Sequence, residues 1–135
     1  MPEKVLVIAA LIGATLLLVV LYATGVFAVL RQCIRDEWRG NQVTLKNHSG
    51  HEIVSGTLIA RDKTYAIGRI EVGKSIDITI PATEAGLQVA VVFHGGRKLK
   101  SEQMGYFTSC MSVHDTIDVQ PLEIVLAKHK IVDEL

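Results

Sequence analysis

Residues Val5 to Leu30 read VLVIAALIGATLLLVVLYATGVFAVL, and no charged side chain interrupts them. As a helix rising 1.5 Å per residue the stretch is about 39 Å long, which spans a hydrocarbon core of roughly 30 Å with tilt to spare. A core helix of a soluble protein seldom runs so far without a polar face. The stretch is therefore predicted to be an uncleaved, single-pass membrane anchor. A cleaved signal peptide competes with this reading, because Val26-Phe27-Ala28 has the form of a small-residue cleavage site. Signal peptides, however, carry an apolar region of only about 7–15 residues. Arg31-Gln32-Cys33 is a poor lipobox, since small residues should precede the cysteine.

The flanks give opposing indications of topology. Only Lys4 and the amino terminus precede the apolar run, whereas Arg31, Arg35 and Arg39 follow it. The positive-inside tendency alone places the rest of the chain in the cytoplasm. The signal-like position of the anchor and the turn-rich β region after it favour the other side. The expectation adopted is a bacterial inner-membrane protein with its C-terminal domain in the periplasm. Arg31, Arg35 and Arg39 recur every fourth residue and form one stripe on a continuing helix, with Trp38 nearby. Arginine heads reach lipid phosphates and an indole prefers the interface, so these four residues are the predicted membrane-interface set. Ala9 with Gly13, and Ala10 with Ala14, make two overlapping small-xxx-small pairs and are the candidate helix–helix contact.

Length and charge bound the remainder. The chain has 135 residues with 14 basic against 14 acidic side chains, and the segment from Asn41 to Gln120 is balanced at eight of each. Nucleic-acid binders draw most of their affinity from a basic surplus, so that class is disfavoured. Two cysteines do not make a disulfide framework. Cys33 lies just past the apolar run and Cys110 deep in the β region. The expectation is a juxtamembrane thiol plus a buried thiol, with an intermolecular Cys33–Cys33 bridge as the alternative in an oxidising compartment.

After Gly40 the hydrophobic period becomes two. Val43 and Leu45 alternate with Thr44 and Lys46, and Ser75-Ile76-Asp77-Ile78-Thr79-Ile80 alternates throughout. Leu87, Val89, Val91 and Phe93 alternate with Gln88, Ala90, Val92 and His94. Ile117 and Val119 continue the pattern, as do Leu122, Ile124 and Leu126 after Pro121. Such runs are strands with one buried face. Breakers separate them at Asn47-His48-Ser49-Gly50, Arg61-Asp62-Lys63, Val72-Gly73-Lys74, Pro81 to Gly86 and His94-Gly95-Gly96-Arg97. The Gly95-Gly96 pair suits a two-residue hairpin. The count is seven or eight short strands, the signature of an antiparallel β-sandwich. The predicted organisation is an anchor and stem over 1–40, a sandwich over 41–127 and a frayed or docked tail over 128–135.

Val43-Thr44-Leu45-Lys46-Asn47 with Ser49-Gly50, followed by Ile67-Gly68-Arg69-Ile70-Glu71-Val72-Gly73-Lys74-Ser75, resembles the opening strands of bacterial immunoglobulin-like, adhesion-type domains. The likeness runs from Val43 to Ser75 and implies an Ig-like sandwich rather than an activity. The immunoglobulin Cys…Trp…Cys core is missing, because Trp38 sits in the stem.

The residues that invite chemistry are few. His48 and His51 form H-x-x-H around a turn rather than on a helix face, and zinc needs three or four converging ligands, with His94 and His114 the remaining candidates. Ser109-Cys110-Met111-Ser112-Val113-His114-Asp115 gathers a thiol, hydroxyls, an imidazole and a carboxylate. A triad, however, is recognised by geometry, and the segment has no nucleophile elbow. Arg97, Lys98 and Lys100 form a short basic cluster. Asn47-His48-Ser49 is a formal glycosylation sequon. No catalytic residue, cofactor or metal site is assigned. The expected function is a non-enzymatic, membrane-anchored protein-binding module, an accessory subunit of an envelope or membrane complex. Its partners are the bilayer and other membrane or envelope proteins. A tethered immunity or inhibitor protein against a secreted toxin, and a tethered metal or ligand carrier, are the alternatives.

Overall fold

The computed structural model describes residues 2–81, 85–108 and 110–132, with the side chains of residues 2 and 36–38 outside the description. The chain divides into two compact units, residues 1–34 and 35–135.

The apolar stretch is helical. Helix α1 runs Pro2–Arg39, and the most apolar window of its segment Glu3–Arg35 has a mean hydropathy of 2.9, with none of it buried. Leu16, Leu17, Leu18 and Val19, successive residues that point about 100° apart around the helix, are all exposed. A helix that is apolar all round belongs in lipid or in a large core, and α1 is the one described helix long and apolar enough to cross a membrane. The helix ends at Gly40, whose φ of +68° is the left-handed cap that glycine adopts most readily. A Cβ there would also stand 2.8 Å from the Ile80 carbonyl oxygen.

The second unit is built from nine strands: β1 (Asn41–Asn47), β2 (Ile53–Ala60), β3 (Lys63–Ile67), β4 (Ser75–Ile80), β5 (Ala85–Phe93), β6 (Lys98–Lys100), β7 (Met104–Phe107), β8 (Val113–Val119) and β9 (Ile124–Ile131). They form two sheets. One has the order β4-β1-β8-β9, and the other runs β3-β2-β5-β6 with β7 also on β5. Alternation decides which residues meet between the sheets. In β1, β5 and β8 every second side chain is buried, and Val43, Leu45, Leu87, Val89, Val91, Phe93, Ile117 and Val119 share one core with Leu58, Ile80 and Phe107. Each fully buried Leu, Ile or Phe side chain contributes roughly 1.5–3 kcal/mol relative to exposure, so this layer holds the two sheets together.

Three features differ from the sequence expectation. The sandwich is not wholly antiparallel: β1 pairs β4 antiparallel but β8 parallel, with Leu45 opposite Ile117. Short strands β6 and β7 bring the described count to nine, because three or four residues are too few to show a period. The segment 128–135 does not leave the sheet at once. A bulge places both Thr116–Lys128 and Ile117–Leu126 in register, leaving Ala127 unpaired, and Lys128–Ile131 continue β9. Residues 133–135, like 82–84 of the predicted Pro81–Gly86 turn, lie outside the described residues.

The Gly95-Gly96 connection is a three-residue loop, closed by the Phe93 amide donating to the Arg97 carbonyl at 2.8 Å. Elsewhere β2 and β5 approach closely at Gly56, where a Cβ would lie 2.6 Å from the Ala90 carbonyl oxygen and 3.2 Å from the Val91 Cα. Because the obstacle is backbone, neither strand can yield without losing its ladder. Gly56→Ala is therefore expected to destabilise the full-length protein by about 1–3 kcal/mol, as overpacking does. Thermal denaturation in mild detergent checks this, and an unchanged midpoint contradicts it.

Candidate functional site

The residues assigned to the membrane interface and to a helix contact all lie within α1. Arg31, Arg35 and Arg39 are exposed on the last turns of α1, and the backbone of Trp38 lies in the same helix while its side chain is outside the described residues. Ala9, Ala10, Gly13 and Ala14 are exposed near the other end, and a Cβ at Gly13 would meet nothing within 4 Å.

The cysteines overturn the expectation of two thiols. Both Cys33 and Cys110 are disulfide-bonded, and among the described residues there is no free cysteine. Cys110 is also exposed rather than buried, since it sits in the turn between β7 and β8 with a left-handed φ of 62°. A disulfide sulfur cannot serve as a thiolate nucleophile. Ser112 is buried and its hydroxyl donates to the Gly40 carbonyl at 2.9 Å, while Ser109 lies outside the described residues.

The histidines do not gather into a metal site. Among the described residues no three His, Cys, Asp or Glu side chains converge on a possible ion. His48 approaches Asp118 at 3.4 Å, and His51 packs edge-on to Phe93 with ring centroids 6.4 Å apart. His114 joins a polar row across the outer face of the first sheet. There the Thr44 hydroxyl donates to Asp77 Oδ1 at 2.6 Å and lies 2.8 Å from His114 Nε2. Asn47 is buried, with its amide donating to the carbonyls of His51 at 2.8 Å and Ile70 at 3.0 Å. The Asn47 sequon is therefore a structural clamp on the β1–β2 loop, with no amide nitrogen presented for a glycan.

One ionisable pair escaped the sequence reading. Asp115 alternates with Val113 and Ile117, so it points into the core and is fully buried. The bulge at Ala127 turns His129 onto the same face, and its Nδ1 lies 2.5 Å from Asp115 Oδ1. Oδ2 has no hydrogen-bond partner and stands where a Cβ on Gly105 would be, at 2.8 Å. Burial raises the Asp115 carboxyl above the usual carboxylate range, opposed by the His129 hydrogen bond and by the charges of His129 and His114. With no nucleophile or further ligand converging on it among the described residues, the pair has the makings of a structural clamp on the end of β9.

A concave surface of the β unit lies on the outer face of the second sheet. Its trough of about 490 Å³ is lined by Ser55, Thr57, Ala90, Val92, Lys98 and Lys100, with the backbone of Gly56, Val91 and Leu99 contributing. Register explains the set. Ser55 pairs Val92 and Thr57 pairs Ala90 on one side of β5, while Lys98 pairs Val92 and Lys100 pairs Ala90 on the other. Val91 is in the core, so Ala90 and Val92 point outward. The floor is small and apolar, and two exposed ammonium groups rim it. Of the basic cluster, only Lys98 and Lys100 belong here. Arg97 instead stacks 4.3 Å from the Phe93 ring centroid and donates to the Pro121 carbonyl at 2.6 Å, which fixes the hairpin. The floor residues went unnoticed in the sequence. The available signal was the pair of apolar side chains, Ala90 and Val92, at successive outward positions of β5.

No family model matches the sequence, and no curated protein matches it. A solved structure with a similar fold is the NMR structure of a protein from Eubacterium rectale, at 14% identity and a TM-score of 0.55. The match covers 67% of this chain and 90% of that one, and at this identity it speaks for the fold alone.

A carboxyl raised by burial lets the folded state bind more protons than the unfolded one. Its contribution to stability therefore falls as pH rises from the unfolded carboxylate value of about 4 through the raised folded one. Asp115→Asn removes that loss while keeping the shape. The melting midpoint of the variant relative to wild type is expected to increase as pH rises above the unfolded carboxylate value and to level off once the raised folded value is passed. A pH-independent difference contradicts the assignment.

Proposed function

We propose that the chain is a membrane-anchored, non-enzymatic protein-binding module, acting as an accessory subunit of an envelope or membrane protein complex. The observation that carries this reading is the trough on the outer face of β2, β5 and β6. An outer sheet face without functional contacts is ordinarily covered by long polar side chains. Here the central strand instead presents Ala90 and Val92, leaving an apolar concavity with a charged rim. Interfaces have this anatomy, with a desolvated centre inside a polar border.

Two further observations support the setting. The apolar surface of α1 suits retention in a bilayer, with Arg31, Arg35, Trp38 and Arg39 at the interface and the face of Ala9, Ala10, Gly13 and Ala14 open to a second helix. Disulfides persist in oxidising compartments, so the bonded state of Cys33 and Cys110 supports an extracytoplasmic domain, in a bacterium the periplasm. It weighs against the topology that the three trailing arginines would favour alone. Two sheets around one core, with the chain passing repeatedly between them, are compatible with an Ig-like fold.

A photo-crosslinking residue placed at Val92 in the full-length protein, in its native membrane, is expected to give a discrete protein adduct. The same residue at Ser75, which is exposed at the start of β4 in the other sheet, serves as the control. Equal or absent crosslinking at the two positions overturns the proposal.

A further inference from the structure

Among the described residues, strand β6 is the terminal strand on its side of the second sheet and pairs only with β5. The Arg97 carbonyl accepts from the Phe93 amide at 2.8 Å and the Ser101 amide donates to the Val89 carbonyl at 2.8 Å. In an antiparallel ladder such bonded pairs recur every second residue, which makes Leu99–Val91 the next one. The backbone amides and carbonyls of Lys98 and Lys100 therefore point away from β5, towards the open edge. On that same edge the side chains alternate. Lys98 and Lys100 are exposed on the outer face, whereas Leu99 packs against the core from the inner face.

We infer that this edge accepts an extended segment of a partner protein with the pattern acidic–apolar–acidic, which adds to the second sheet as a strand beside β6. The inference rests on the binding-module reading and names the chemistry of its partner. Three features of the edge select that pattern. Alternate residues of a strand are about 6.6 Å apart, so an added strand repeats the Lys98–Lys100 spacing and sets two carboxylates directly opposite two ammonium groups. The residue between them faces inward and extends the apolar layer at Leu99. The open amides at Lys98 and Lys100 supply the main-chain bonds by which added strands are held. Edge lysines also discourage pairing with a second copy of β6, because like charges would then face each other. The selection thus favours an acidic partner over the chain itself.

The other edges are less suited. Strand β9 carries Lys128 and Lys130 but is interrupted by its bulge, and β4 has a single charge, Asp77. Strand β3 has one lysine, at its first residue.

The test uses the full-length protein in mild detergent and a fluorescent peptide, acetyl-Thr-Glu-Val-Glu-Thr-amide, read by anisotropy. Saturable binding is expected, weakening as salt rises from low to physiological concentration and above. The double variant Lys98→Glu/Lys100→Glu alters only exposed side chains, so its melting midpoint should match wild type. It should lose at least tenfold in affinity for the acidic peptide and gain affinity for acetyl-Thr-Lys-Val-Lys-Thr-amide. Absence of saturable binding, or equal binding of both peptides by wild type, overturns the inference. So does competition by anionic phosphatidylglycerol vesicles as effective as unlabelled peptide, which marks the rim as a lipid-headgroup surface. If the Val92 crosslink persists in the double variant, the binding module stands and the acidic partner falls. Loss of both the crosslink and the peptide signal in that variant supports the two together.

Discussion

An α-helix with apolar side chains on every side is unstable in water, and this constraint orders the rest of the molecule. Along α1 the backbone polar groups are satisfied within the helix, so lipid can cover the side chains at no hydrogen-bonding cost. A water-facing α1 would instead expose several turns of Leu, Val and Ile, far beyond the patch size that soluble monomers tolerate. On the reading proposed above, the β unit that follows is a domain kept at a membrane surface. Its overall neutrality fits that placement, since a strongly basic domain would be drawn into non-specific contact with anionic headgroups.

Within the β unit, the core and the trough lie on opposite faces of the same strands. The inner positions of β5, from Leu87 to Phe93, are large and sealed in the core. Of the outer positions of the same strand, Ala90 and Val92 are apolar and only half-buried, and Gln88 beside them is polar. One strand thus anchors the sheet and forms the floor of its trough, and the lysines of β6 are set beside it by a hairpin locked through Arg97. At the opposite end of the core, the Asp115–His129 pair holds the last residues of β9 after their change of register. A buried carboxylate with one oxygen unpartnered is a costly device. Its position at the end of the final strand gives it a plausible return, because that segment would otherwise have few apolar contacts.

Much of this was legible from residue order, and the exceptions have specific causes. Helix α1 and strands β1, β4, β5 and β8 declare themselves through uninterrupted periods. Tyr106 and Phe107 likewise divide as adjacent strand residues must, one exposed and one buried. The parallel pairing of β1 with β8 was hidden, because a sequence carries no marker of which distant strands become neighbours. The continuation of β9 was hidden by the bulge at Ala127, which shifts the alternation by one residue and makes Lys128 to Ile131 look like a polar tail. The same shift concealed the pairing of His129 with Asp115. The cysteines were misread because disulfide geometry depends on how backbones approach in space, about which separation in sequence is silent. The trough has no reactive group to mark it in the sequence, because its floor is formed by two apolar side chains, Ala90 and Val92.

The central claim is that the apolar helix is retained and holds the β domain at a membrane. Intact-mass spectrometry of the protein recovered from alkaline-washed membranes tests it most directly. The account predicts a species in the membrane fraction whose mass includes the whole stretch from Val5 to Leu30. A soluble species beginning after Ala28 would contradict it and would identify α1 as a signal peptide.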